Sequence, residues 1–163
     1  VAHQYLSHQD EAGPMLGAIA ERFGPVLHAP EGDLAGIAEH AVPGVLLDDR
    51  AVDGNGVEVI PTPGHTPGST SFLVTGADGA RYLFTGDTLY RGADGRWNAG
   101  YLPGMSNGEQ LLASLRMLGD LEPDLVASSA FAGENGAHAV DPADWRRTVA
   151  ETAERLATGV LAR

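Results

Sequence analysis

Residues 57–87, VEVIPTPGHTPGSTSFLVTGADGARYLFTGD, decide the fold of this chain. Their apolar and β-branched residues predict three strands, at 57–62, 70–75 and 81–87. Two Pro-Gly pairs enclose His65 in the loop after the first strand, and Asp87 ends the third strand. Polar groups that follow the strands of an open α/β sheet converge on one crevice. The sequence therefore predicts that His65 and Asp87 lie close together.

Outward from this stretch, strands and helices alternate without internal repeats or linkers. Further strands are predicted at 2–6, 25–29, 44–49 and 124–128, and helices at 11–24, 31–40, 106–119 and from Asp141 to near the C-terminus. This alternation predicts an α/β fold, and we interpret residues 1–163 as a single domain.

Two helix starts and one loop carry more specific predictions. Ser106 and Glu109 match a capping box, and Asp141 followed by a proline matches an N-cap. The Gly-rich segment 89–108 predicts an irregular loop at the border of a site. Its Trp97 and Tyr101 either face a substrate or pack locally.

Composition excludes several classes of function. The formal net charge of −12 argues against nucleic acid or an anionic membrane as partner, since both require a cationic face. No apolar run approaches the length of a membrane span. The chain has no cysteine, so any metal must be held by His, Asp or Glu. No basic-then-apolar signal segment opens the sequence, and the expected location is cytoplasmic.

Ligand-type side chains follow several predicted strands. His8, Asp10 and Glu11 come after the first strand, His65 after the 57–62 strand, and Asp87 after RYLF. Two imidazoles and two or three carboxylates at one point suit zinc, iron or manganese. Each has a simpler interpretation: the two acids favour a helix start, Asp87 closes a turn, and His65 lies in an exposed loop.

PGHTPGS and FTGDTL, in this order, resemble the metallo-β-lactamase-fold superfamily, which includes hydroxyacylglutathione hydrolases and many thioesterases. The resemblance covers nearly the whole chain from Tyr5 to the last helix. It implies an αββα sandwich with a metal site at one edge of the two sheets. It also implies that His65 binds the first metal and that Asp87 bridges two metals.

The first motif of this superfamily, H-x-H-x-D-H, is only partly present. Its positions correspond to LSHQDE, so His8 and Asp10 remain, Leu6 replaces the first histidine, and Glu11 replaces the last. Leucine cannot bind a metal, whereas Glu11 offers a harder oxygen donor than imidazole. We expect Glu11 to act as a spare ligand or as a base.

The superfamily's last histidine is also missing. Ser128 or Ser129 stands in its place. His138, further along, either folds back toward the site or, as we expect, is a surface-loop residue. We therefore expect one divalent ion, zinc in preference to iron or manganese, rather than two. The expected metal ligands are His8, Asp10, His65 and Asp87.

A third difference concerns the N-terminal strands that precede the first motif in this fold. The present sequence begins almost at that motif. Either it is the C-terminal part of a longer domain, which we favour, or a partner, including a second copy in a homo-oligomer, completes the sheet edge.

The resemblance implies a metal-dependent hydrolase. In that role Asp10 orients a metal-bound water and receives its proton, with Glu11 as a second catalytic carboxylate. The absence of basic clusters disfavours a nuclease. Of the remaining substrate classes, we predict a small ester or thioester. Two alternatives stay open: a non-catalytic member that serves as a binding or structural module, and an iron-dependent oxidoreductase of the same fold.

Overall fold

The computed structural model of the chain describes residues 1–130 and 135–161. For residues 160 and 161 only the backbone is described. In the described residues the strands are β1 His3–Tyr5, β2 Val26–Pro30, β3 Val45–Leu47, β4 Ala51–Val52, β5 Val57–Pro61, β6 Thr70–Thr75, β7 Arg81–Phe84, β8 Leu89–Arg91, β9 Trp97–Ala99, β10 Leu125–Ala127 and β11 Ala137–Ala139. The α-helices are α1 Pro14–Phe23, α2 Leu34–Ile37, α3 Gly108–Gly119 and α4 Pro142–Leu156. Short 3-10 turns cover Gln9–Glu11 and Glu31–Asp33, and a π-helical turn, Ala157–Leu161, follows α4.

The strands form two principal sheets. Three parallel strands have the order β1-β2-β3, and a mixed sheet of six has the order β11-β10-β7-β6-β5-β4. The sheets face each other through a cluster of Leu47, Val59 and Phe72, with the Tyr5 ring packed edge-on against Phe72 at 5.5 Å. Strands β8 and β9 pair as a separate hairpin.

Helices α3 and α4 cover the outer face of the six-stranded sheet. Leu111, Leu115 and Leu118 recur at helical spacing along α3 and are fully buried. They pack with Trp145 of α4, whose indole N–H donates to the Leu118 carbonyl at 2.8 Å. Truncating one of these leucines to alanine costs about 2–5 kcal/mol in a typical core. This packing stabilises the six-stranded sheet, and the loops that carry His65 and Asp87 follow two of its strands.

Helices α1 and α2 accompany the three-stranded sheet. Leu16 of α1 and Ile37 of α2 pack with Leu6 and Leu27 in a second apolar cluster. Leu6, which replaces the first histidine of the motif, is thus a buried core residue. The arrangement of helix, sheet, sheet and helix confirms the predicted αββα sandwich.

Three local predictions were wrong or incomplete. Asn107, rather than Ser106, is the N-cap of α3, and its side chain accepts from the Gln110 N–H at 3.1 Å. The 89–108 segment is not wholly irregular, because it contains the β8–β9 hairpin. The helix predicted at 31–40 is shortened to one 3-10 turn and α2, and the side chain of Asp33, at their junction, is held by groups outside the helix.

Other elements match their predictions. Asp141 caps α4 by accepting from the Ala143 N–H at 2.9 Å, and Pro142 occupies the first turn. The sequence also predicts an apolar stripe along the last helix, formed by Trp145, Val149, Leu156 and Val160. The first three are buried, and the side chain of Val160 lies outside the described part. The helices in the described residues are all too short, or too polar, to cross a bilayer.

Candidate metal centre

The loop that carries His65 is anchored to the start of α3. Gly64 has φ of +135°, and a Cβ there would stand 2.3 Å from the Leu111 nitrogen, so only glycine fits. The Asn107 N–H donates to the Gly64 carbonyl at 2.8 Å, and the Ser106 hydroxyl donates to the His65 carbonyl at 2.9 Å. These bonds fix the backbone on both sides of the His65 ring.

Two further loops bring the other candidate ligands to the same place. His8 follows β1 and precedes the 3-10 turn that holds Asp10. Asp87 follows β7 after Gly86, which has φ of +52°. A Cβ on Gly86 would lie 2.8 Å from the Ser7 hydroxyl, so the glycine lets the β7 loop approach the His8 loop.

The candidate ligand atoms lie within a few ångströms of one another. His8 Nε2 is 3.6 Å from Asp87 Oδ2, and His65 Nε2 is 3.7 Å from the same oxygen. Asp10 Oδ2 lies 3.4 Å from His65 Nε2. Ligands placed tetrahedrally at about 2.1 Å from one ion stand about 3.4 Å apart. The observed separations therefore suit ligands of a shared cation.

Hydrogen bonds orient both imidazole rings. The carbonyl of Gly100 lies 2.7 Å from His65 Nδ1 and can only accept, so Nδ1 carries the proton and the Nε2 lone pair is free. Ser7 Oγ lies 2.9 Å from His8 Nδ1, which is consistent with the same tautomer in His8. This is the usual outer-shell arrangement of a metal-binding histidine.

Both Nε2 atoms are buried and have no hydrogen-bond partner among the described residues, and the same holds for Asp87 Oδ1. His8 is 0% exposed and His65 4% exposed. Buried polar atoms without partners are costly. A cation bound between them would satisfy all three, so the residues present fit a divalent metal.

Charge within the cluster shifts two pKa values. Burial works to lower the pKa of His8, but the Asp87 carboxylate, helped by Asp10 and Glu11, outweighs burial and raises it above its ordinary value. Burial works to raise the pKa of Asp87, but His8, His65 and the Ala130 N–H together lower it. The carboxylates thus give the centre a negative electrostatic potential, which favours the binding of a cation.

The structure brings together all five residues singled out in the sequence. They fall into two groups whose ligand atoms lie within 4.8 Å of one another: His8 with Asp10 and His65, and His8 with Glu11 and Asp87. Both carboxylates from the first motif are exposed, whereas both histidines are buried.

His138, one of the residues considered for the missing histidine, belongs to neither of these groups of described residues. The Ser129 N–H donates to the carbonyl of Gly86 at 3.0 Å, so the backbone of Ser129 contacts the loop that carries Asp87. His138 is not a surface-loop residue, because it lies on β11 with its ring 5.9 Å from the Trp97 ring. Residues 131–134, between Ser129 and His138, lie outside the described part.

Sequence reasoning missed the residue that ties the ligand loops together. Asp33 is 2% exposed, and its carboxylate accepts from the Gln9 N–H at 3.0 Å, the Thr66 hydroxyl at 2.6 Å and the Gly68 N–H at 2.7 Å. It therefore connects the loop of His8 and Asp10 to the loop of His65. Its sequence neighbours, EGDLAG, only predict a helix and carry no signal of this role.

The substrate-wall interpretation of Trp97 is wrong, and the packing interpretation is confirmed. Trp97 is 9% exposed and packs edge-on against Trp145 at 5.6 Å. Tyr101 is partly buried against the same core cluster. The loop contributes to the centre through the Gly100 carbonyl instead.

Comparison with known proteins agrees with this geometry. A family model described as the metallo-beta-lactamase superfamily matches residues 5–129. A hydroxyacylglutathione hydrolase of Chromohalobacter salexigens is 30% identical over 144 residues, which cover 78% of this chain and 54% of that protein. A hydroxyacylglutathione hydrolase of Brucella ovis is 34% identical over 102 residues, 34% of its length. The chain thus spans about half, or less, of these relatives.

Two solved structures show the same fold. A Cronobacter sakazakii metallo-beta-lactamase with a HARLDQ motif superposes with a TM-score of 0.75 at 17% identity, covering 99% of this chain and 73% of that one. TTHA1623 in a di-iron-bound form gives a TM-score of 0.61 at 25% identity, covering 90% and 75%.

Proposed function

Because this chain belongs to the metallo-beta-lactamase superfamily, we propose that it is a metal-dependent hydrolase acting on a small ester or thioester. One observation supports the proposal most. Two buried imidazole nitrogens, from His8 and His65, have no hydrogen-bond partner in the described chain and lie 3.4–3.7 Å from carboxylate oxygens. His28 Nδ1 and His138 Nε2 are also buried without a partner, but only His8 and His65 belong to groups of candidate metal ligands among the described residues.

Each residue has a distinct task in this proposal. His8 and His65 would hold a cation through neutral Nε2 atoms, and Asp87 would hold it as the most buried carboxylate of the cluster. A divalent cation at this site would supply a water of lowered pKa and polarisation of the scissile carbonyl. Asp10, whose side chain is 37% exposed, would orient a water with its carboxylate and accept a proton from it. Glu11, also exposed, is a second carboxylate within reach.

The proposed cofactor is a single divalent ion, zinc in preference to iron or manganese. A neutral imidazole nitrogen has one lone pair, so His8 Nε2 binds one ion at a time. His8 belongs to both groups of ligand residues, which favours one ion over two. Iron is retained as an alternative metal because TTHA1623, which has the same fold, was solved in a di-iron-bound form.

Substrate class, partners and location belong to the same proposal. The relatives are named hydroxyacylglutathione hydrolases, which supports a small-molecule substrate. The net charge of −12 supports neither nucleic acid nor an anionic membrane as partner. We place the protein in the cytoplasm. A homo-oligomer or another partner along β1, which is an edge strand, remains part of the proposal.

The test is hydrolysis of a panel of small esters and thioesters by the metal-loaded protein, compared with the protein stripped by a chelator. We expect turnover with metal, its loss on stripping, and its recovery on adding zinc. Asp10→Asn should lower kcat even when enough metal is added to saturate the variant. A metal-loaded protein that hydrolyses no member of the panel supports the non-catalytic alternative. Oxygen consumption by the iron-loaded protein supports the oxidoreductase alternative.

A further inference from the structure

Glu11 occupies an unusual position for an exposed carboxylate. It ends the 3-10 turn after His8, and one of its oxygens lies within 4.8 Å of ligand atoms of both His8 and Asp87. Its side chain makes no hydrogen bond or ion pair with any residue in the described chain. Glu11 is therefore available to a ligand that His8 and Asp87 also contact.

The two partners of Glu11 each offer an unsatisfied atom. His8 is fully buried, and its Nε2 has no hydrogen-bond partner among the described residues. Asp87 Oδ2 faces the two histidines, whereas its Oδ1 is buried and also lacks a partner. These atoms give evidence for a bound cation that is independent of the acidic residues themselves.

The two ligand groups differ in chemistry. The group of His8, Asp10 and His65 has two nitrogens and one oxygen, whereas the group of His8, Glu11 and Asp87 has one nitrogen and two oxygens. Imidazole nitrogens suit zinc, and carboxylate oxygens suit manganese and other hard cations. Because both groups need the one lone pair of His8 Nε2, they compete for a single ion.

We propose that Glu11, His8 and Asp87 form an alternative, oxygen-rich cation position that favours Mn²⁺ relative to Zn²⁺. This inference rests on the proposed function, in that His8 must bind a divalent metal. It adds that position 11 sets which metal the centre prefers and where the ion lies. Glu11 is exposed on a short turn, so its substitution leaves the core packing unchanged.

The experiment measures Mn²⁺ and Zn²⁺ binding separately in the chelator-stripped protein. Loss of the free Mn²⁺ EPR signal reports manganese binding, and competition with a chromophoric chelator reports zinc binding. Glu11→Gln should weaken Mn²⁺ binding about tenfold and Zn²⁺ binding less than threefold, since it replaces a charged carboxylate ligand by a weaker neutral amide oxygen at one position only. His65→Ala should instead weaken Zn²⁺ binding more than Mn²⁺ binding. Glu39→Gln, an exposed acid on a different segment, is the control for loss of one charge.

A third variant tests the metal preference directly. Glu11→His should strengthen Zn²⁺ binding and weaken Mn²⁺ binding, because it exchanges an oxygen donor for a nitrogen donor. Equal effects of Glu11→Gln on both metals, or no effect on either, would overturn the inference and leave the proposed function standing. A wild-type protein that binds neither ion would overturn both.

Discussion

The molecule contains two pairs of neighbouring histidines with nearly the same spacing. The rings of His8 and His65 are 5.0 Å apart, and those of His3 and His28 are 5.2 Å apart. In the first pair both Nε2 atoms lack a hydrogen-bond partner in the described chain and lie 3.4–3.7 Å from carboxylate oxygens. In the second pair His3 Nδ1 and His28 Nε2 hydrogen-bond to each other at 3.0 Å. His28 Nδ1 is also buried without a partner there, but neither histidine of the second pair belongs to a group of candidate metal ligands among the described residues.

The surroundings explain the difference. Burial works to lower the pKa of both His8 and His28. For His8 the adjacent Asp87 outweighs burial and the pKa rises. For His28 the neighbouring His3 adds to burial and the pKa falls, although Asp53 opposes this. Proximity of two histidines therefore does not make a metal site; the carboxylates that face them do.

The largest expected effect separates the two pairs by zinc binding. His65→Ala removes a nitrogen ligand and leaves Asp10 and Asp87 without their shared neighbour, so we predict a loss of zinc affinity of at least about 100-fold. His28→Ala, the matched change in the second pair, should leave zinc affinity within about threefold. Chelator competition measures both. Equal losses in the two variants would remove the distinction between the pairs.

The next effect concerns the residue that holds the first pair in place. Asp33→Asn replaces one of the two acceptor oxygens by an NH₂ group, which cannot accept a hydrogen bond. Either the Gln9 N–H and the Thr66 hydroxyl lose Oδ2, or the Gly68 N–H loses Oδ1. We expect the free energy of unfolding to fall by about 1–3 kcal/mol. We also expect zinc affinity to fall by about 10–100-fold, as for other outer-shell changes.

The control for Asp33 is Asp124→Asn. Asp124 also accepts a backbone N–H, that of Arg81 at 2.8 Å, but it lies in the exposed segment just before β10. It should change stability slightly and zinc affinity not at all. Denaturant titration and chelator competition give the two readouts. Zinc affinity that stays at the wild-type value in Asp33→Asn would show that the loops hold their geometry without it.

A smaller effect is expected at the hydroxyl that orients His8. Ser7→Ala removes the partner of His8 Nδ1 at 2.9 Å, and zinc affinity should fall by at most about tenfold. His3→Ala is the parallel change in the second pair, because it removes the partner of His28 Nε2. It should leave zinc affinity unchanged. Isothermal calorimetry measures the zinc affinity of both variants. It thereby compares the loss of the hydrogen-bond partner of His8 with the loss of the partner of His28.

The smallest effect is a pH dependence near the second pair. Burial works to raise the pKa of Asp53, but hydrogen bonds from Tyr5, Val57 and Asn55 outweigh it and lower the pKa below 3.8. A lowered pKa stabilises the folded state above the unfolded value, and this contribution is lost as pH falls through the folded value. Asp53→Asn should therefore cost some stability at pH 7 and less at pH 3. Urea unfolding at the two pH values measures the difference, and an equal cost at both would contradict the prediction.

Sequence reasoning predicted that the candidate ligands lie close together, because their signals are local. The two Pro-Gly pairs around His65 and the glycine before Asp87 indicate turns at fixed offsets from these side chains. Strand ends then bring the residues together. Leu6 was excluded as a ligand by its chemistry, and the structure shows it in the core.

Predictions failed where a long-range contact decides the role of a residue. Ser106 fits a helix cap by sequence, but its hydroxyl donates to the His65 carbonyl, 41 residues away, and Asn107 caps the helix instead. Asp33 fits a helix, but its three donors come from two other loops. Trp97 lies in a Gly-rich loop, but it enters the core between Trp145 and His138. No periodicity or spacing within the chain encodes these partners.

The attachment of the His65 loop to α3 has a consequence for its dynamics. The loop carbonyls of Pro63, Gly64 and His65 accept from Ser114, Asn107 and Ser106 respectively, and α3 also forms the centre of the helical core. Amide exchange at the start of α3 thus requires either release of the loop or opening of the core. If the Asn107 amide exchanges as slowly as the amides that require global unfolding, the loop that positions the His65 ring belongs to the most stable part of the molecule.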